Sequence, residues 1–371
     1  MKKHTSLLLT AVLLLSACSS NPYYDPAKPH HRPDGFVNND SRVVIGDRPW
    51  YESLWRRMRG GFVPAEPAGG YEQFARDWSV AVDLERLRQT AGQPRITWLG
   101  HSSLLLQVAG RNILIDPQLS DFAGLSRHML SATRRVPAPL TPEQLPPIDL
   151  VLISHNHYDH LDEDTLFRLL AVGQQPRFLV PLGLKPWFAA RAIADVKEMD
   201  WWDSIDDGPL RIHLTPAQHW SKRSLFDRNT SLWGGFFIET KGDGPPWRFL
   251  YTGDTGYSSD FREIRRRLGT VDLLAVPIGA YLPRDFMALA HVDPDGAVQI
   301  LLDVEARQAI GVHWGAFELS QEAFDQPPAD ARAALERHGL DPQHLWLLRH
   351  GESREIVPNP AASPAQTPDA R

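Results

Sequence analysis

From residue 95 onward the chain breaks into short apolar runs separated by Gly, Asn, Asp and Pro. Ile96-Thr97-Trp98-Leu99, Ser103 to Val108 and Asn112 to Ile115 come first, and runs of this length between turn formers predict strands joined by hairpins. "DLVLIS" (149–154), "RFLVP" (177–181), "LRIHLT" (210–215), "LWGGFFIET" (232–240), "WRFLYTG" (247–253), "DLLAVPI" (272–278) and "QAIGVHW" (308–314) continue the series. Between them, apolar residues at helical spacing predict helices over 162–172, 185–194, 258–268, 294–304 and 328–338. Strands interleaved with helices give an α/β sandwich as the expected fold class. No fixed-period repeat and no internal linker interrupts this region, so a single domain over 95–356 is expected.

The chain before residue 95 has a different pattern. Lys2-Lys3, the apolar run Leu7 to Leu15 and Ser16-Ala17-Cys18 form the three parts of a secretory signal over residues 1–17. The apolar run falls well short of the roughly 20 residues a membrane span needs. Leu15-Ser16-Ala17-Cys18 resembles the lipobox of bacterial lipoproteins. That resemblance implies lipidation at Cys18 and a lipid anchor in the cell envelope; Ser19 favours the periplasmic face of an outer membrane. A plain signal peptide that happens to precede a cysteine is the alternative. Residues 18–45, rich in Pro, Asn, Asp and His, suit a tether. Residues 46–94 read as a helical segment in which Trp50 to Met58 form either a packed helix or a membrane-surface helix. The Pro- and Ala-rich end, 357–371, reads as a disordered tail.

Composition narrows the function classes. Of 371 residues, 42% are hydrophobic and 23% charged, enough to bury a real core. A net charge of −6 offers no basis for binding nucleic acid, which requires clustered Lys and Arg. Arg265-Arg266-Arg267 reads instead as the solvated face of a helix. Cys18 is the single cysteine, so the mature chain has no internal disulfide. A homodimer is compatible with the chain.

Chemistry enters at "SHNHYDHLD" (154–162), immediately after an apolar strand. His155, His157, Asp159 and His160 offer the imidazole and carboxylate ligands that suit zinc or iron, and a strand end holds side chains in fixed relation. Ser154, Asn156, Tyr158 and Asp162 are left unassigned; Leu161-Asp162 begins a helix. His219, Asp254 and His313 also fall just past predicted strands. Taken alone, His313 between Val312 and Trp314 reads first as a buried core histidine, but together the seven groups exceed what one tetrahedral zinc uses. Two metals sharing a bridging carboxylate would employ them all.

"SHNHYDH", "GDTG" and the later His313 resemble the metallo-β-lactamase superfamily, which implies an αββα sandwich with a dinuclear site at one edge. Longer blocks, among them "ITWLGHSS", "LPPIDLVLISHNHYDHLD", "TPAQHWSKRSLFD", "VPIGAYLPRDFM" and "HWGAFEL", resemble the N-acyl-phosphatidylethanolamine-hydrolysing phospholipases D. These resemblances span about residues 95 to 354. Carried over position by position, they imply that His155, His157 and His219 hold one Zn2+. Asp159, His160 and His313 would hold the second, and Asp254 would bridge; iron or manganese suits the same ligand types. The implied reaction is attack on phosphorus by a hydroxide between the metals, giving phosphatidic acid and an N-acylethanolamine from a phospholipid substrate. The implied catalytic residues are Asp254, Asp159 and His291.

Asp116 in "LIDP" and His101 in "LGHSS" are expected to support the ligands from behind; an ordinary turn aspartate is the plain alternative for Asp116. His291 in "AHVDP" matches a phosphate-side histidine, yet it also reads as a polar residue flanking a helix capped by Asp293 before Pro294. Trp201, Trp202 and Tyr281 read as core or rim aromatics. Two other functions compete with the phospholipase reading: a different dinuclear metallohydrolase, such as a lactonase or sugar-phosphate hydrolase, and a non-catalytic envelope lipoprotein. Within the superfamily this chain resembles, an acidic ligand at the position of Asp159 is typical of phosphodiesterases and lactonases and many β-lactamases carry Cys ligands, so the resemblance implies that β-lactamase activity is not expected.

Overall fold

Alternation along the strands decides which face each side chain fills. The structure, a computed structural model, describes residues 21–40, 45, 64–89, 92–126 and 129–356. Its strands are β1 (His31–Arg32), β2 (Gly35–Phe36), β3 (Arg95–Trp98), β4 (Leu104–Val108), β5 (Arg111–Ile115), β6 (Phe122–Ser126), β7 (Met129–Thr133), β8 (Leu150–Leu152), β9 (Arg177–Pro181), β10 (Val196–Met199), β11 (Ser204–Asp207), β12 (Leu210–Thr215), β13 (Gly235–Thr240), β14 (Arg248–Tyr251), β15 (Val271–Pro277), β16 (Ala306–Val312), β17 (Leu345–Trp346) and β18 (Ser353–Glu355). The helices are α1 (Gly70–Asp77), α2 (Leu84–Arg88), α3 (Glu163–Ala171), α4 (Lys185–Ala189), α5 (Asp260–Leu268), α6 (Arg284–Met287), α7 (Pro294–Asp303) and α8 (Gln326–Arg337).

Two seven-stranded sheets form, in the orders β10-β9-β8-β5-β4-β3-β18 and β11-β12-β13-β14-β15-β16-β17. In the first, Leu104, Leu106, Ile113, Ile115, Leu150, Leu152 and Leu179 join the core shared with the second sheet. Their neighbours Leu105, Leu114, Val151, Phe178 and Val180 face the other way, onto Leu166 and Leu169 of α3 and Phe188 of α4. A sheet covered on both faces explains why these strands read as continuous apolar runs. On the second sheet, α5 and α7 bring Phe261, Ile264, Val298 and Leu301 into the same contiguous apolar cluster. The result is an αββα sandwich.

Three departures from the sequence expectation have a clear physical reason. The helix expected over 185–194 stops at Ala189, because Ala192 takes a left-handed backbone, φ 57°, and turns the chain toward β10. Edge strands β10 and β11, of sequence VKEM and SIDD, carry too few apolar residues to have been anticipated. The largest departure is the tether expected over 18–45. Residues 21–40 instead pack on the domain: β1 and β2 pair as a hairpin, and Phe36 enters the main core. Asp200 accepts hydrogen bonds from Lys28 at 2.5 Å, His30 at 2.7 Å and His31 at 2.9 Å. The signal segment with Cys18, the 50–58 helix and the 357–371 tail lie outside the described residues.

Candidate metal centre

Every candidate ligand lies at one edge of the sandwich, and strand direction is the reason. β5, β8 and β9 run parallel, and β3 shares their direction through two antiparallel steps across β4. β14, β15 and β16 are likewise parallel, and β12 shares their direction through β13. The C-terminal ends of β3, β5 and β8 therefore present His101, Asp116 and residues 155–160 at the edge where β12, β14 and β16 present His219, Asp254 and His313. Gly253 closes the seam. It adopts φ +64°, and a Cβ there would stand 2.5 Å from the Gly234 carbonyl and 3.2 Å from Ser154 Cβ, so only glycine lets Asp254 approach the first sheet.

The side chains converge in two sets. His155 Nε2 lies 2.8 Å from His157 Nδ1, which lies 3.2 Å from His219 Nε2. Two nitrogens bound tetrahedrally to one zinc stand about 3.3 Å apart, so the three are spaced for a common ion. In the second set, His313 Nε2 and His160 Nε2 lie 3.4 and 3.5 Å from Asp159 Oδ2. Asp254 Oδ2 stands between the sets, 3.0 Å from His313, 3.1 Å from His160, 3.9 Å from His219 and 4.0 Å from His155.

Residues behind the ligands fix which nitrogen faces inward. Asp116 is fully buried and accepts from Ser154 N at 2.7 Å, Ser154 Oγ at 2.5 Å, His160 Nδ1 at 2.7 Å and Tyr251 Oη at 2.6 Å. Burying a carboxylate costs several kcal/mol; four such bonds at about 1.5–3 kcal/mol each offset it. His155 Nδ1 donates to Ser154 Oγ at 2.9 Å, and His219 Nδ1 to the Ala290 carbonyl at 3.1 Å. His155, His160 and His219 thus turn Nε2 toward the cluster, the arrangement by which outer partners orient metal ligands. His101 Nε2 donates to Asp159 Oδ2 at 2.9 Å. His101, Asp116 and His313 all hold left-handed backbones, φ 51°, 39° and 63°, strain of the kind that gathers at functional sites.

His291 also reaches the cluster, its Nδ1 3.9 Å from Asp254 Oδ2. Asp293 caps α7, accepting from Gly296 N. Trp201 and Tyr281 are buried, the Tyr281 hydroxyl donating to Asp330. Sequence reasoning missed Ser154, Tyr251, the Ala290 carbonyl and Asn38 as supports. A backbone carbonyl leaves no residue-type signal, and Tyr251 comes from the far sheet. Ser154 was legible only as the residue between strand and ligand.

Protonation across the cluster is uneven. Burial, with the neighbouring imidazoles His160, His157 and His219, holds His155 well below the ordinary histidine range. Burial likewise takes His157 down to about 4 and depresses His219. Burial opposes charge at His160 and His313 too, but Asp254 and Asp159 outweigh it; His160 is raised well above the usual range and His313 to about 9. Against the same burial, His160 and His313 hold Asp254 well below the carboxylate range.

A metal pair suits this donor set. His291 Nδ1 and Asp254 Oδ1, which face the cluster, are buried without hydrogen-bond partners, an expensive condition in an otherwise satisfied interior. His313 Nε2 lies 3.0 Å from Asp254 Oδ2 yet makes no hydrogen bond. Two groups close together but not aimed at each other are what ligands of a common ion present. His155, His157 and His219 would hold one ion, Asp159, His160 and His313 the other, with Asp254 serving both.

Known proteins share this architecture. A model of the beta-lactamase superfamily domain matches residues 111–314. The chain is 38% identical over 244 residues to the N-acyl-phosphatidylethanolamine-hydrolyzing phospholipase D 1 of Caenorhabditis elegans, covering 63% of this chain and 67% of that one. It is also 38% identical over 237 residues to the mitochondrial N-acyl-phosphatidylethanolamine-hydrolyzing phospholipase D of Saccharomyces cerevisiae, covering 62% of this chain but only 49% of the yeast protein. Among solved structures, an isothiocyanate hydrolase from Delia radicum gut bacteria superposes with a TM-score of 0.56 at 18% identity, over 71% of this chain and all of that one, which is a likeness of fold. With more than half its length matched, and with buried His/Asp clusters at the edge where the two sheets meet, the chain belongs to the beta-lactamase superfamily and is a metal-dependent hydrolase.

Proposed function

We propose that the protein is a zinc-dependent phosphodiesterase of phospholipase D type. Its substrate is N-acyl-phosphatidylethanolamine or a related phospholipid, cleaved to phosphatidic acid and an N-acylethanolamine. The observation that carries this reading is Asp254 Oδ2 lying 3.0–4.0 Å from four imidazoles of two ligand sets, in a chain 38% identical to two proteins named for that reaction.

The chemistry a bound divalent pair supplies is Lewis acidity toward a phosphoryl oxygen and water acidified to near neutral pH. Water adds to phosphorus, the bond from phosphorus to the ethanolamine oxygen breaks, and that oxygen takes up a proton. Burial lowers His291 to about 4, so it is neutral at physiological pH and can donate a ring N–H to a non-bridging oxygen as charge grows there. His101 keeps Asp159 turned toward His160 and His313, and Asp116 does the same for His160.

The rim supports a lipid substrate. Three residues after His219 the chain enters a loop whose tip bears Leu225, 78% exposed, and Phe226, 92% exposed. Asp227 Oδ1 accepts from Arg223 N at 3.0 Å and Ser224 N at 2.7 Å, and the Arg223 guanidinium donates to the Asn156 and Leu161 carbonyls at 3.2 and 2.7 Å. The exposed tip is therefore tied to the ligand loop itself, where an interfacial enzyme needs its bilayer contact. Among the described residues no helix is long and apolar enough to cross a membrane; attachment through lipidated Cys18 to the periplasmic face of an outer membrane is the localisation we propose.

The reading is tested by incubating zinc-loaded protein with N-acylated and unacylated phosphatidylethanolamine and identifying products by mass. Release of phosphatidic acid from either lipid, abolished in Asp254→Asn, is expected. Cleavage of a lactone with neither lipid touched would sink the phospholipase assignment.

A further inference from the structure

The residues at 21–40 do more than join the body to whatever precedes them. Asn38 is buried, and its side-chain amide forms a two-way clasp with the main chain of His219: Nδ2 donates to the His219 carbonyl at 3.0 Å, and Oδ1 accepts from His219 N at 3.0 Å. A planar amide, with donor and acceptor on one carbon, is otherwise found only in glutamine, which carries a further methylene. With Nδ1 of the same histidine bonded to Ala290, His219 is fixed at its backbone from one side and at its ring from the other.

The same strip of chain is fastened at a second point. Asp200 is nearly fully buried and takes Lys28, His30 and His31 on its two oxygens and Trp201 N at 2.8 Å. Phe36 N also donates to the Asn229 carbonyl at 2.9 Å, in the loop that follows His219. From Lys28 to Asn38 the segment is thus a strap, buckled at Asp200 and closing on His219.

We infer that this N-terminal strap completes the metal centre, with Asn38 acting as a positioning residue for the His155, His157 and His219 set alone. His160 and His313 draw their support from Asp116 and from the His101 carbonyl, which accepts from His313 N at 2.9 Å, rather than from the strap. Loss of the clasp frees His219 to shift, and the three-imidazole set loses one of its three ligands while the carboxylate-bearing set keeps its own. The inference rests on the metal-centre reading and is independent of which ester the enzyme cleaves.

The test is a zinc titration of metal-free full-length protein against a chromophoric chelator, for wild type, Asn38→Ala and Asn38→Asp. Wild type binds two ions. In Asn38→Ala one of the two weakens by about 10–100-fold, the range for loss of an outer support, while the other changes by no more than roughly twofold. Asn38→Asp, which keeps the acceptor and loses the donor, falls between them. The rise in melting temperature on adding zinc shrinks in parallel, because ligand-linked stabilisation tracks affinity. If Asn38→Ala does not fold, Asp200→Asn loosens the buckle at a distance from the ligands and shows the same one-site weakening. Two undisturbed zinc affinities in a folded Asn38→Ala protein, or equal weakening of both, overturns the inference even if the melting temperature falls. A wild-type protein that binds no zinc defeats the metal centre as a whole.

Discussion

The two sheets contribute to the same centre in different ways. The first concentrates His155, His157, Asp159 and His160 in one loop after β8; one hub, Asp116, reaches His160 directly and His155 through Ser154, while His101 holds Asp159. The second scatters His219, Asp254 and His313 over three strand ends, each held by its own local contact: Asn38 and Ala290, the Gly253 turn, and the His101 carbonyl. A shared hub makes damage spread to both ligand sets. Separate braces confine it to one. The difference shows why a motif can be compact in sequence while the site it builds needs the whole fold.

The comparison is broken most severely at the one group that belongs to both sets. Asp254→Asn removes a carboxylate charge facing four imidazoles, and kcat/KM is expected to fall about 1000-fold or more, the scale of losing several kcal/mol of charge stabilisation. Product formation under saturating zinc measures it. Next comes the hub. Asp116→Asn should weaken both zinc affinities by about 10–100-fold, in contrast to the one-site effect of Asn38→Ala, and the same chelator titration separates the two patterns.

The rim tests whether the shared edge faces lipid. Phe226→Ser is expected to lower turnover on phospholipid vesicles by about 10–100-fold, from the roughly 1.5–3 kcal/mol that burial of a Phe side chain contributes. Turnover of dispersed short-chain substrate should stay unchanged. An equal fall on both substrates would move Phe226 from bilayer contact to site structure.

The smallest effect concerns the strap. Burial opposes ionisation of Asp200, but His30 and Lys28 hold its pKa below the ordinary carboxylate range, with His31 and, through Lys28, Asp203 nearby. A depressed folded-state pKa adds stability that is present above the unfolded value of about 3.9 and is lost as pH falls below it. Hydrogen exchange on metal-free protein should therefore show protection of residues 21–40 declining below about pH 4, and Asp200→Asn should flatten that decline.

Much of this was legible in the sequence, for reasons that differ by region. The central strands were readable because both faces are covered, so "DLVLIS" and "DLLAVPI" are continuous apolar runs. The ligand loop was readable because four ligands share six positions after a strand. His219, Asp254 and His313 were visible as polar residues at strand ends, but their allotment to sets came from resemblance, since spacing along a chain says nothing about which strand ends meet. The strap was misread as a tether because it is held chiefly by polar contacts, through Asp200 and Asn38, with Phe36 its buried apolar anchor. Low apolar content is the signature of both a linker and a segment fastened by buried hydrogen bonds.

The central claim is that this two-sheet centre directs water at the phosphorus of a phospholipid. Hydrolysis of N-acyl-phosphatidylethanolamine by zinc-loaded protein in 18O-enriched water, followed by mass spectrometry of both products, tests it most directly. The account predicts one heavy oxygen in the phosphate of phosphatidic acid and none in the N-acylethanolamine; label in the N-acylethanolamine, or no phosphatidic acid at all, would contradict it.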